Sequence, residues 1–103
     1  MSDIKNPAIS KQLTSSGAVT TAGKAGLLYG YAIQHGTTAQ SSVTFRDGTV
    51  SGTIKWVDSN VAAAVAGDKT SVVVFPRPIR FDTDIYAVLT GTGTKICVEY
   101  LEY

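Results

Sequence analysis

Histidine and cysteine are almost missing from this chain, with His35 and Cys97 the single examples in 103 residues. One thiol can form no intrachain disulfide and no multi-cysteine zinc site. A Ser-His-acid or Cys-His mechanism needs a base beside its nucleophile, and no Gly-x-Ser-x-Gly elbow surrounds any serine. His35 is therefore expected to be an ordinary loop histidine, and Cys97 a small buried or interfacial hydrophobe. Charge is also scarce: 17% of residues are charged, with 9 Lys and Arg against 8 Asp and Glu. A net charge of +1 with no basic run excludes the concentrated positive surface that nucleic acid requires. No stretch reaches the roughly 20 apolar residues needed to cross a bilayer. Met1 to Pro7 lacks both the basic start and the apolar run of a secretory signal. The expectation is a protein assembled in a reducing cytosol, with no membrane and no nucleic acid among its partners.

What the chain does have is alternation. Apolar residues recur with period two between turn residues spaced roughly 8 to 12 apart, the pattern of an all-β sandwich or barrel of about eight strands. Residues 1 to 10 lack periodicity and contain Pro7, so they read as an extended N-terminal arm, with a single domain over residues 11 to 103. A first strand is expected within Lys11 to Thr21, broken by Gly17 or starting after it. Gly23 to Gly26 turns the chain into Leu27 to Gln34, where parity places Tyr29, Tyr31 and Ile33 on one face and Leu28, Gly30 and Ala32 on the other. Both faces are apolar, which marks a central strand or one at a subunit contact. Val43 and Phe45 form a half-buried strand closed by the turn pair Asp47-Gly48. Ile54 and Trp56 point one way on its partner, while Thr53 and Lys55 point the other. Val61 to Ala66 is alanine-rich but too short for a stable helix, so one turn or a short strand is expected. Ser71 to Phe75 is strand-like until Pro76-Arg77-Pro78, which no central strand accommodates, so the chain there is a corner or an edge. Ile79 and Phe81, Ile85 to Thr90, and Thr94 to Glu102 complete the set, with Gly91-Thr92-Gly93 read as a hairpin turn.

Chemistry is sparse. Asp82-x-Asp84 offers two carboxylates where a calcium loop supplies about six ligands, so these side chains are expected to cap backbone amides. Trp56 alternates cleanly with Ile54 and is assigned to the core in preference to a sugar-stacking platform. Gly91 to Gly93 has neither the lysine nor the helix start of a phosphate loop. The chain is expected not to be an enzyme and to use no cofactor.

Three segments in order, Gly26-Leu27-Leu28-Tyr29-Gly30, Val43-Thr44-Phe45-Arg46-Asp47-Gly48 and Phe75-Pro76-Arg77-Pro78-Ile79-Arg80-Phe81, are followed by Ile85 to Gly93. Together they resemble the small β-sandwich virion proteins of tailed bacteriophages, over roughly residues 17 to 100. Members often carry glycine where this chain has Asp84. The resemblance implies a jelly-roll-like antiparallel sandwich that decorates or cements a capsid. Its partners would be further copies of itself, expected as a homotrimer, and the major capsid protein or other virion proteins. Its location would be the virion, assembled in the host cytoplasm. A tail or fibre-joint adaptor and a carbohydrate-binding module are the alternatives. Candidate contact residues are Ile4, Pro7 and Ile9 in the arm, Tyr29, Tyr31 and Ile33 on the two-faced strand, and Tyr103 at the end.

Overall fold

The computed structural model describes residues 9–21, 23–34, 41–60, 70–91 and 93–102. The described residues form eight strands: β1 (Ile9–Leu13), β2 (Gly17–Ala18), β3 (Gly26–Gln34), β4 (Ser41–Asp47), β5 (Thr53–Asn60), β6 (Thr70–Phe81), β7 (Tyr86–Thr90) and β8 (Lys95–Glu102). They form two four-stranded antiparallel sheets, ordered β1-β8-β3-β6 and β2-β7-β4-β5. Each strand of the first half pairs with one of the second: β1 with β8, β2 with β7, β3 with β6, β4 with β5. That is an antiparallel ribbon doubled at the β4–β5 turn and rolled into a sandwich, the jelly-roll arrangement. The all-β sandwich expected from period-two alternation is what the chain adopts.

Rolling explains where the local reading went wrong. Gly91 to Thr94 is not a hairpin turn, because β7 and β8 belong to opposite sheets and the turn carries the chain across the sandwich. Asp82 to Asp84 makes a second crossing, from β6 to β7. Only β4 and β5, joined through Gly48 and Thr49 at positive φ, are consecutive strands of one sheet. Ile9 and Ser10, assigned to the arm from sequence, already pair with Tyr100 and Glu99 in β1. Residues 1–8 and the calls on Val61 to Ala66, Thr92 and His35 lie outside the described residues.

The core lies between the sheets, built by Leu28, Ile33, Ile96 and Val98 from one side and Val43, Phe45, Ile85 and Ala87 from the other. In β8 the alternation is regular, with Ile96, Val98 and Tyr100 buried and Lys95, Cys97 and Glu99 exposed, as parity predicts. Complete burial of a phenylalanine such as Phe45 contributes roughly 1.5–3 kcal/mol.

In β3 the parity fails. The register shifts between Leu28 and Gly30 against both neighbours, making Tyr29 an extra residue. Such a bulge moves everything beyond it to the opposite face. Leu28, Tyr31 and Ile33 therefore share the inner face, whereas Gly30 and Ala32 look outward. Opposite the bulge, Phe75 to Pro78 of β6 have no register partners in β3. β6 runs on through both prolines as one strand, tolerated because it is the edge of its sheet.

Candidate functional site

The bulge sets the outward surface of the first sheet. Beyond it, cross-strand rows read Val72, Ala32, Cys97, Gln12 and then Val74, Gly30, Glu99, Ser10. The central strand contributes only a hydrogen and a methyl group to these rows, so the sheet is hollowed along β3. Gly30 is required there, because a Cβ would stand 2.5 Å from the Val73 carbonyl oxygen. The result is a shallow trough of about 190 Å3, walled by Val72 and Val74 of β6 and by Cys97 and Glu99 of β8. It continues past Ala32 into a smaller hollow beside Gln12, Gln34 and Lys95. Val72 and Val74 are 70% and 76% exposed, the most exposed large aliphatic residues among those described.

Folding does not account for this face, since β6 packs on the core through Val73, Phe75, Ile79 and Phe81 and not through Val72 or Val74. Val72 and Val74 thus stand in water without a packing role inside the domain. Chemically the trough offers aliphatic contact, one thiol, the Glu99 carboxylate and the Lys95 ammonium at its end. Among the described residues no group of three or more His, Cys, Asp or Glu side chains is placed to hold a metal ion.

Of the residues expected at a contact, Ile9, Tyr29, Tyr31 and Ile33 are among those described. Tyr31 and Ile33 are 3% and 0% exposed, so the face they line is the inside of the sandwich and offers nothing to a partner. Tyr29 is half-buried at the bulge, and Ile9 is exposed at the β1 edge. Ile4, Pro7 and Tyr103 lie outside the described residues. Cys97, expected to be buried or interfacial, is exposed in the trough. The signal of Val72 and Val74 in the sequence is a β-branched run on a strand that prolines confine to an edge.

Two polar networks hold the structure around this face. Inside, Trp56 Nε1 donates to Tyr31 Oη at 2.7 Å, and Tyr31 Oη donates to Asp58 Oδ2 at 2.7 Å. Trp56 is half-buried and meets Phe75 edge-on with ring centroids 4.8 Å apart, which joins the two sheets. Burial and the Asp58 carboxylate push the Tyr31 phenol up, against the opposing pull of the Trp56 N–H. At the loop end, two aspartates clamp each other's loops. Asp47 accepts from the amides of Asp82, Thr83 and Asp84, and buried Asp84 accepts from those of Gly48 and Thr49, both at 3.0 Å. Partial burial raises the Asp47 carboxyl, but the three amides and Lys55 outweigh it and leave the pKa below its ordinary value. The capping role expected for Asp84 is the one it plays; Asp82 instead pairs with Arg80 at 3.0 Å.

No family model matches this chain, and no curated protein or solved structure is matched by it. The sandwich and its trough are therefore read on their own geometry.

Proposed function

We propose that this chain is a structural virion protein of the capsid-decorating type, acting through contact and not through chemistry. The observation that carries this reading is the trough on the first sheet, with Val72 and Val74 standing exposed around Gly30 and Ala32. An aliphatic trough on a rigid sheet suits a protein shell presented in many symmetric copies, where modest contacts multiply into tight attachment. The capsid or another virion protein is the partner in this reading. A symmetric oligomer is the working unit. The carbohydrate-binding alternative needs an exposed row of aromatic rings. The exposed large hydrophobic residues among those described are all aliphatic, which favours a protein partner.

The test is particle association. Particles purified from the phage that encodes the chain should carry it as a stoichiometric component by mass spectrometry. A Val72→Lys/Val74→Lys double variant should fold normally yet be lost from the particles. Absence of the native chain from purified particles, or full retention of the double variant, rejects the reading.

A further inference from the structure

A sandwich of two open sheets has four edges, here β1, β6, β2 and β5. An unpaired edge is a template for another strand, and proteins ordinarily blunt it by shortness, proline or charge. β2 has two residues. β6 carries Pro76 and Pro78. β1 is five residues long and is tied down by Lys11, whose ammonium donates to the Ala18 carbonyl of β2 at 3.1 Å. β5 is interrupted only near its start, by a bulge at Lys55 of the kind that also blunts an edge, and is regular from Trp56 to Asn60. It runs for eight residues without proline, and among the described residues it pairs only with β4. Its one lysine, Lys55, sits at a bulge and lies 5.9 Å from the Phe81 ring centroid, so it folds back over the sandwich. Three of the six exposed large aliphatics, Val50, Ile54 and Val57, gather on β5 and the loop before it.

We infer that β5 is a self-association edge, where β5 of a second copy pairs antiparallel to it about a two-fold axis at Val57. Beyond the bulge the strand is regular, and this register places Val57 against its own copy and Trp56 opposite Asp58. No like charges face each other, whereas centring the axis on Asp58 would oppose two carboxylates. The pairing satisfies edge amides and carbonyls and covers the exposed Val57 side chain. Being isologous, it closes at two copies. It leaves the trough of the other sheet open, so it stands independently of what the trough binds.

Sedimentation of the full chain over a concentration series is the experiment. The native protein should approach twice the chain mass of 10.8 kDa. Val57→Lys places two ammonium groups at the axis and should require at least about tenfold more protein to associate. Val72→Lys, on the opposite sheet, should not change association. Amide exchange read on the native chain supplies a second measure that needs no variant: Trp56 to Ser59 amides should slow as concentration rises. A one-copy mass up to millimolar concentration, a three-copy mass, unchanged association of Val57→Lys, or concentration-independent exchange overturns the inference.

Discussion

The two faces of β3 obey different rules. Inward, Leu28, Tyr31 and Ile33 are large and buried against the second sheet. Outward, Gly30 and Ala32 are small, and the valines beside them remain in water. A residue whose size the core demands is explained by stability alone. One that stability leaves unexplained, such as Val72 on an edge strand, points outside the domain. Substitutions on the inner face should therefore reduce stability, while those on the outer face should reduce association.

The sharpest way to break that distinction is Phe45→Ala. Phe45 is fully buried and its ring packs 5.1 Å from that of Tyr31, so truncation should cost about 3–5 kcal/mol by denaturant unfolding. A cost comparable to that of a surface substitution would mean that the sheets do not pack as described. Next comes Asp84→Ala, which orphans the amides of Gly48 and Thr49 and should cost about 1–3 kcal/mol per unsatisfied group that water cannot reach. Its amide-exchange signature should be confined at first to the β4–β5 loop. Trp56→Phe keeps a ring against Phe75 but loses the bond to Tyr31, for which about 1 kcal/mol is expected.

The acid limb is a smaller and more specific effect. Folding holds the Asp47 carboxyl below its ordinary value of 3.8, so between the folded and unfolded pKa the unfolded chain binds more protons. The Asp47 contribution is complete above the unfolded value and is lost as pH falls through the folded one. Urea midpoints measured across that window should fall less steeply with acid in Asp47→Asn than in the native chain; equal slopes would remove Asp47 as the cause. Smallest of all is Val72→Thr, expected to change stability by less than about 0.5 kcal/mol because the side chain is exposed. A larger loss would make the valine part of the fold and weaken the case for the trough.

Much of the sandwich was legible in the sequence because most strands show their own alternation, the bulged β3 and β5 excepted. β8 reads correctly from Lys95 to Tyr100, and Val43 and Phe45 of β4 are buried as predicted. The amide-capping role of Asp84 was legible as turn chemistry, though not its target, the loop 35 positions away in sequence. The trough was not legible. Its signal was inverted by one residue, Tyr29, which no local propensity marks as a bulge.

The sequence by itself determined that this is a β-rich chain whose apolar residues largely alternate, with prolines that must lie on an edge and with one cysteine, too few for an intrachain disulfide or a multi-cysteine zinc site. Those properties depend on each residue's own chemistry and its nearest neighbours. Only the tertiary structure decided which strands share a sheet, where β3 changes phase, and which valines are left in water. All three depend on pairing between distant parts of the chain: the bulge exists in the register of β3 against β6 and β8, and a strand's outer face is defined only once another sheet has covered its inner one.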